Sequence, residues 1–271
     1  MSPTPAAAYS ARIGGMQLTG ARAGARNAGT EAYFDTRTPE YDAARFAPAT
    51  EWIRRLATEE STLVDVGCGS GNVLAYLREA TGLRRLAGLD VSPRYLEQAR
   101  ARVGCETHQG SILDPGVVAS LGGRFDFAVL GAVQHHLVGR TRRASRELAR
   151  LALLHALSLV RPGGHLFILE PVFYPPWMMD VVFYVKTLAV KLTSRRLELF
   201  DRWNNLGAPV VSYYTNEELR QMVTEDPRAQ LLELRSAPAY LSSLQRAAFI
   251  RRREDTTLVV RRRDDACASS S

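Results

Sequence analysis

Short apolar runs alternate with helical patterns through the middle of the chain. The runs begin at Leu63, Leu86, Phe125 and Leu166, and each is long enough for one buried strand. Strands that alternate with helices in this way predict a parallel sheet with helices on both of its faces.

A glycine loop follows the first apolar run. The sequence Asp65-Val-Gly-Cys-Gly-Ser-Gly leads into a helical pattern that opens at Asn72. Glycine lets a ligand approach the backbone and adopts positive φ angles, and a helix N-terminus adds N–H donors and partial positive charge. The G-x-G-x-G spacing differs from the G-x-G-x-x-G dinucleotide fingerprint. Asp65 would also place an anion beside a pyrophosphate, so this carboxylate suits a cationic ligand.

The loop closely resembles the first motif of the class I S-adenosylmethionine-dependent methyltransferases. Their cofactor carries an ammonium and a sulfonium and no phosphate. Segments 86–90, 125–137 and 159–171 resemble later parts of the same family, in the same order.

The resemblance implies a set of cofactor contacts. Asp90 would hydrogen-bond the ribose hydroxyls, while Ser92 followed by Pro93 predicts a helix N-cap. Ser111 stands where the family often has an acid that bonds the adenine, so a weaker adenine contact is expected. The implied cofactor-binding residues are Asp65, Gly67, Cys68, Gly69, Asp90, Val91, Ser111, Ile112 and Gly131.

The resemblance also implies the architecture. We expect a Rossmann-like, doubly wound α/β fold: a mostly parallel seven-stranded sheet, helices on both faces and an inserted lid. Residues 231–241 and 256–263 are predicted as strands of an antiparallel edge, and Pro162-Gly-Gly as a turn before the fifth strand.

A single methyltransferase domain is expected over residues 31–265. Its predicted parts are an N-terminal helical cap (31–60), a cofactor-binding core (61–171), a lid (172–215) and a C-terminal helix with edge strands (216–265). Residues 1–30 and 266–271 are expected to be disordered tails.

The lid segment is unusually apolar and aromatic. Val181, Val185, Leu188 and Leu192 fall on one helical face, and other apolar residues extend it over most of the circumference. Such a helix is buried on two sides or contacts lipid, and charged residues interrupt it too often for it to span a bilayer. A packed core helix of the lid is predicted.

The net charge of +7 and the pI of about 9.6 raise the question of nucleic acid. Arginine supplies nearly all of the basic charge, which fits a high-GC coding genome. The runs Arg251–Arg253 and Arg261–Arg263 adjoin acids and are predicted to be solvated strand ends. The Asp/Asn-Pro-Pro-aromatic motif of amino-methylating base enzymes is absent after the fourth strand, so no nucleic-acid partner is expected.

The three cysteines have neither metal spacing nor a disulfide framework, and no metal site is predicted. Residues 1–30 lack the apolar core of a secretory signal, so a cytoplasmic location is expected. An organellar transit peptide of similar composition is the alternative reading of that segment.

Methyl transfer is an in-line displacement in which the protein mainly aligns and desolvates the acceptor. A base is needed only for a poorly acidic hydroxyl or a protonated amine. His135 and His136, after the fourth strand, are the candidate bases, and alignment without a base is the alternative. The predicted acceptor contacts are Tyr33, Glu170, Trp177, Met178, Phe183, Trp203 and Tyr214.

Together these features predict a methyltransferase of a small apolar or aromatic molecule in secondary metabolism, with oxygen favoured over nitrogen or carbon. The alternative within the class methylates a lipid-like or isoprenoid acceptor at a membrane surface. A non-catalytic cofactor-binding subunit and an RNA methyltransferase are the less favoured alternatives. No pattern indicates an oligomeric state.

Overall fold

One sheet of seven strands forms the centre of the protein. The computed structural model describes residues 43–192, 210–247 and 249–264. The strands are β1 (Thr62–Val66), β2 (Arg85–Asp90), β3 (Glu106–Gln109), β4 (Phe125–Gly131), β5 (Val160–Tyr174), β6 (Ala229–Pro238) and β7 (Arg252–Arg262). Their order in the sheet is β3-β2-β1-β4-β5-β7-β6.

Neighbouring strands are parallel except at β7, which is antiparallel to both β5 and β6. The predicted Rossmann-like, mostly parallel seven-stranded sheet is confirmed. The strand order reverses between β1 and β4, and open α/β sheets bind their ligands in the crevice at that point, outside the carboxyl ends of the strands.

Helices cover both faces of the sheet. They are α1 (Ala47–Leu56), α2 (Asn72–Thr81), α3 (Pro93–Val103), α4 (Pro115–Leu121), α5 (Arg142–Leu159), α6 (Pro176–Leu192), α7 (Asn216–Thr224) and α8 (Ser243–Ala247), with 3-10 helices at Ala43–Phe46 and Gln134–His136. Helices α1, α2 and α3 bury their apolar faces on one side, and α4, α5 and α7 on the other.

The strands alternate between these two cores. In β1, Leu63 belongs to the core under α1–α3, whereas Val64 and Val66 belong to the core under α4, α5 and α7. Successive side chains of a strand point to opposite faces. A strand that is covered on both faces therefore reads as a continuous apolar run, which explains the pattern in the sequence.

Polar caps fix where several helices begin. Ser92 Oγ accepts a hydrogen bond from Tyr95 N, which confirms the predicted N-cap. Thr141 Oγ accepts from Ala144 N, and Thr215 forms a reciprocal capping box with Glu218. Each cap satisfies a backbone donor that the first helical turn leaves unpaired.

The Pro162-Gly-Gly segment is not the predicted turn. It lies within β5, where the register to β4 jumps from Phe125↔Val160 to Phe127↔His165. Gly163 has φ +79°, a left-handed conformation that glycine adopts without strain. The segment is therefore a bulge that keeps the strand paired on both sides of the irregularity.

The two later strands both begin and end earlier in the chain than the sequence indicated. The predicted 231–241 corresponds to Ala229–Pro238, and 256–263 corresponds to Arg252–Arg262. Strand β7 is inserted between β5 and β6, so β6 forms the edge.

Helix α6 buries a different face from the predicted one. Val181, Val185 and Leu188 are each about half exposed, whereas Phe183 and Lys186 are buried. Because the helix is apolar around most of its circumference, its periodicity could not select the buried side. Among the described residues, no helix has the length and apolarity that crossing a membrane requires.

Candidate active site

A cavity of about 760 Å³ lies at the carboxyl ends of the parallel strands. Residues of β1, β2, β4, β5 and β7 line it, together with the loops that follow them. Strands lie about 4.8 Å apart, so β2 and β7, four places apart in the sheet, are separated by roughly 19 Å. The cavity therefore has a glycine-loop end, at residues 65–71 and Asp90, and a β7 end, at Pro171, Phe173, Tyr213, Gln245 and Arg253.

The glycine loop leaves its backbone open to a ligand. Gly67, Gly69 and Gly71 have φ of +72°, +52° and +80°. A Cβ on Gly67 would lie 2.6 Å from Val133 Cγ2, whereas one on Gly69 would meet no atom within 4 Å. Glycine is thus required at 67 by a close neighbour, and the space above Gly69 is available to a bound molecule.

Asp90 holds the loop in place. Its Oδ2 accepts a hydrogen bond from Gly69 N at 2.9 Å, and its Oδ1 accepts one from Ser92 N at 2.9 Å. A carboxylate has about four acceptor sites, so two ribose hydroxyls can be added to these contacts. The position of Asp90 at the end of β2 matches its expected role.

Asp65 is buried at the end of β1 and lines the same end of the cavity. Burial, and then the negative charge of Asp90, raise the pKa of this carboxyl well above its ordinary value. A cationic ligand would relieve both effects, because a nearby positive charge favours the ionised carboxylate. The ammonium and sulfonium of S-adenosylmethionine fit this requirement.

Cys68 is a packing residue within the loop. Its Sγ would lie 2.6 Å from a Cβ on Gly88, so the thiol occupies the space that this glycine of β2 leaves. Burial raises the pKa of the thiol, and the thiolate is the nucleophilic form. Nucleophilic chemistry at this cysteine is therefore disfavoured.

The other predicted cofactor residues lie along the same cavity. Ser111 Oγ accepts from Leu113 N at 3.2 Å, and the carbonyl of Ile112 accepts a short bond from His155 Nδ1. The ring of Phe46 fills the space beside Gly131 that a side chain would need. All nine predicted cofactor-binding residues line the cavity, and their individual roles remain predictions.

His135 and His136 also line the cavity, but their surroundings differ. His135 Nδ1 lies 2.6 Å from Glu170 Oε2, and the His135 ring stacks on Tyr213 with centroids 5.2 Å apart. Burial, followed by the positive charges of His135 and Lys186, lowers the pKa of His136 well below its ordinary value. His135 thus has a carboxylate partner, whereas His136 is held neutral.

Glu170 does not contact the cavity, contrary to its prediction as an acceptor contact. Its side chain is only 1% exposed, and it accepts hydrogen bonds from Gln134 N and from His135. It lies on β5, four residues before the strand ends at Tyr174, and one strand away from the loop that carries His135. Glu170 therefore contacts His135 from the side that faces away from the cavity.

The remaining predicted acceptor contacts do not meet at the cavity. Trp177 is 58% exposed on the outside of α6, and Phe183 is completely buried within the protein. Met178 packs in a separate cluster with Phe173 and Leu241, and Tyr214 belongs to the core under α5. None of these four lines the cavity. Helix α6 turns a different side inward from the predicted one, and Tyr214, in the loop before α7, packs into the core instead. Tyr33 and Trp203 lie outside the described residues.

Other residues occupy the β7 end. Tyr213 and Phe173 line it, with ring centroids 4.5 Å apart. Both belong to the aromatic segment noted in the sequence, where strand and loop alternation places neighbours such as Tyr213 and Tyr214 on different sides. Arg253 was predicted to be a solvated strand end, yet it is mostly buried and lines the cavity.

Arg45 was also missed by the sequence reasoning. It lines the cavity and lies next to Phe46, whose ring covers Gly131. Its Nη2 donates to Asp255 Oδ1 at 2.6 Å, so the guanidinium has a carboxylate partner from β7. No local signal marked this residue, because the 3-10 helix that carries it is far from the glycine loop in the sequence.

The buried carboxylate of Asp65 and the half-buried carboxylate of Asp90 disfavour a phosphate here, whereas they suit a ligand with an ammonium, a sulfonium and a ribose. A sheet of this order with such a crevice defines the class I S-adenosylmethionine-dependent methyltransferases, and S-adenosylmethionine is their cofactor. A family model described as a methyltransferase domain matches residues 41–226, and the chain belongs to that family.

Similar proteins carry several methyltransferase names. The chain is 46% identical over 65 residues to trans-aconitate 2-methyltransferase of Enterobacter sp., covering 24% of the chain and 26% of that protein. It is 30% identical over 122 residues to ribosomal RNA small subunit methyltransferase C of Cronobacter sakazakii, covering 45% and 34%. The chain thus spans about a quarter to a third of the length of these curated relatives.

A solved structure shares the fold over most of the chain. An N-methyltransferase from Bradyrhizobium japonicum in complex with S-adenosyl-L-homocysteine has a TM-score of 0.53 and 16% identity. The match covers 87% of this chain and 100% of that one. At this identity the likeness shows the fold alone.

Proposed function

We propose that the protein methylates a small apolar or aromatic acceptor in secondary metabolism, at an oxygen atom, with His135 as the general base. The observation that carries this proposal is the His135–Glu170 pair, with Nδ1 and Oε2 2.6 Å apart, at a cavity walled by Tyr213 and Phe173. A hydroxyl acceptor needs a base more than a thiol or a free amine does, which supports oxygen.

The pair supports one tautomer of His135. If Nδ1–H donates to the Glu170 carboxylate, Nε2 carries the lone pair that can accept a proton from an acceptor hydroxyl. Glu170 then stabilises the imidazolium that forms. The tautomer is inferred from the hydrogen-bond network.

The cofactor, when bound, supplies an electrophilic methyl group on its sulfonium. Asp65 would hold the ammonium of its methionine moiety, and Asp90 its ribose. Tyr213 and Phe173 would pack against the acceptor and exclude water. The acceptor would thereby be aligned beside His135, where its proton can leave as the new bond forms.

The test is a metabolite-extract screen with labelled cofactor and purified protein. We expect label to enter an apolar or aromatic product, and His135→Ala to lower its formation about 10²–10⁴-fold with little change in cofactor affinity. His108→Ala, on β3 and away from the cavity, is the control and should keep near-normal turnover. Unchanged turnover of His135→Ala between pH 6 and 9 would remove the base from the proposal.

A lipid-like or isoprenoid acceptor at a membrane surface is the second candidate. The outer side of α6 supports it, because five large apolar side chains are exposed there: Trp177, Val181, Tyr184, Val185 and Leu188. Amphipathic helices with such a face lie in the membrane interface. Sedimentation with phosphatidylglycerol–phosphatidylcholine vesicles tests it, and Trp177→Ser with Tyr184→Ser should abolish any binding. No sedimentation of the wild type would eliminate this candidate.

An RNA acceptor is supported only by relatives whose names refer to ribosomal RNA. Binding of this kind would weaken steeply with salt, since phosphate contacts release counterions. Methylation of purified ribosomal RNA at low and at moderate ionic strength would reveal it. The aromatic β7 end of the cavity favours the small-molecule reading.

A further inference from the structure

Arg253 occupies the β7 end of the cavity, about four strands from Asp90. In the sheet it stands opposite Phe173, and its guanidinium carbon lies 5.8 Å from the centre of that ring. Its positive charge also acts on the buried hydroxyl of Tyr213. A cation therefore flanks the two aromatic side chains at this end.

The nearby carboxylate of Asp255 is used mainly by another residue. Arg45 Nη2 lies 2.6 Å from Asp255 Oδ1, whereas Arg253 Nη2 lies 3.4 Å from the same oxygen. The described part of this cluster thus contains two guanidinium groups and one carboxylate. Asp255 offsets the charge of Arg45 more than that of Arg253.

Arg253 also has unused donor capacity. Its Nε is buried and lacks a hydrogen-bond acceptor among the described residues. A guanidinium carries five N–H donors in a planar fork that matches a carboxylate. A buried donor without an acceptor destabilises the fold, so a ligand that accepts here would gain the bond that the protein lacks.

Gln245 supplies a second donor at the same end. Its Oε1 accepts from Ser242 N at 2.9 Å, while Ser242 Oγ accepts from Gln245 N. These reciprocal bonds fix the side chain with its oxygen engaged, so the amide NH₂ is the group it offers to the cavity. Arg253 and Gln245 thus both present donors at this end of the cavity, which suits an anionic ligand.

We propose that Arg253 and Gln245 bind a carboxylate of the methyl acceptor, which is therefore an aromatic or apolar acid. The proposal rests on the proposed function, because it names the acceptor class of that site. Tyr213 contacts both Phe173 and His135, so an acid held at Arg253 would lie along this aromatic wall towards the base. Because the negative charge of Asp255 offsets one of the two guanidinium groups, the remaining single positive charge suits a singly charged carboxylate better than a doubly charged phosphate.

The experiment measures binding, so it does not depend on turnover. Phenylacetate, phenylacetamide and phenyl phosphate are titrated by calorimetry into full-length protein saturated with S-adenosyl-L-homocysteine. We expect phenylacetate to bind about tenfold to a hundredfold more tightly than its amide, as for a charge-assisted hydrogen bond. Arg253→Gln should abolish this preference and leave the affinity for S-adenosyl-L-homocysteine unchanged.

Arg252→Gln is the matched control. This variant makes the same substitution one residue away. The side chain of Arg252 is exposed outside the cavity, where it pairs with Glu254 and lies over the ring of Tyr174. Arg253→Lys, which keeps the charge but loses the fork, should retain part of the preference and shows that the site is still folded.

Three results would overturn the proposal. They are equal binding of phenylacetate and phenylacetamide by the wild type, tighter binding of phenyl phosphate than of phenylacetate, and loss of S-adenosyl-L-homocysteine binding in Arg253→Gln. The last result would assign Arg253 to the cofactor. A failed extract screen beside a clear carboxylate preference would instead contradict only the proposed function.

Discussion

Asp65 and Asp90 are two carboxylates that share the glycine-loop end of the cavity. Asp90 has backbone donors from Gly69 and Ser92, whereas Asp65 has a raised pKa through burial and the charge of Asp90. The site thus stores an electrostatic cost that a cationic ligand removes. The protonation state of Asp65 should therefore control cofactor binding.

Cofactor affinity should fall as the pH drops through the raised pKa of Asp65. The protonated carboxyl cannot attract the ammonium of the ligand, so affinity is full above that pKa and is lost below it. Calorimetric titration of S-adenosylmethionine between pH 7 and 4.5 measures this. Asp65→Asn should bind weakly with a flatter profile, and Asp264→Asn, at an exposed carboxylate, should match the wild type. An unchanged profile in Asp65→Asn would refute the assignment.

Glu170 is expected to act only through His135. Glu170→Gln removes the negative charge that stabilises the imidazolium, so kcat should fall about tenfold to a hundredfold, the value of a charge-assisted hydrogen bond. The KM of the acceptor should change little. The double variant with His135→Ala should be no slower than His135→Ala alone, because residues that act as a unit are not additive. Additive losses would contradict this dependence.

At the scale of elements, Arg142 joins three parts of the protein. From the start of α5, its Nε donates to Asp180 of α6 at 2.9 Å, and its Nη1 donates to Ser212 Oγ at 2.7 Å and to the carbonyl of Tyr213. Ser212 N in turn donates to the carbonyl of His135. Arg142 of α5 therefore holds the backbone at Ser212 and Tyr213, and with it the Tyr213 ring that lines the cavity.

Breaking this connection should loosen the acceptor end alone. Arg142→Met is expected to raise the KM of the acceptor several-fold, because the Tyr213 backbone loses its donor, while cofactor affinity stays near normal. Arg143→Met, at a neighbouring and almost fully exposed position, is the control. Steady-state kinetics with the acceptor that the extract screen identifies separate the KM of the acceptor from the KM of the cofactor. Equal losses in both variants would point to helix destabilisation instead.

The elements differ in how far the sequence could predict them. The glycine loop, Asp90 and the Ser92 cap are local signals, since strand, loop and helix are consecutive, and all were placed correctly. Helix α6 was predicted with the wrong buried face, because an almost wholly apolar helix has no distinct periodicity. Arg253 was misjudged for another reason: its surroundings come from pairing with Phe173, which is distant in the sequence.

For the molecule as a whole, His136 should lower the stability of the fold in mild acid. The pKa of buried His136 is lowered in the folded state, so the unfolded chain binds the proton more readily. The contribution of neutral His136 to the free energy of unfolding is complete above pH 6.5, the ordinary pKa of histidine in the unfolded chain. Below that pH the contribution is lost at up to about 1.4 kcal/mol per pH unit. Asp65 acts in the opposite sense, because its pKa is raised in the folded state and the folded chain therefore binds the proton more readily.

Denaturant unfolding from pH 8 to pH 5 measures this slope. His136→Asn cannot bind the proton, so its slope between pH 6.5 and 5 should be smaller than that of the wild type by up to one proton. His108→Asn is the comparison at a less buried site, where burial lowers the pKa less, and it should change the slope less than His136→Asn does. Parallel slopes in all three proteins would exclude His136 as a source of acid sensitivity.

The position of β7 has a consequence for synthesis on the ribosome. All ten residues that β5 pairs on its outer side come from β7, so this edge cannot close until residues 252–261 have emerged. Until then the nascent chain carries a long, apolar strand with an unpaired edge, a surface that recruits other strands. Protection from aggregation is therefore needed from the synthesis of β5 until β7 has emerged and paired with it.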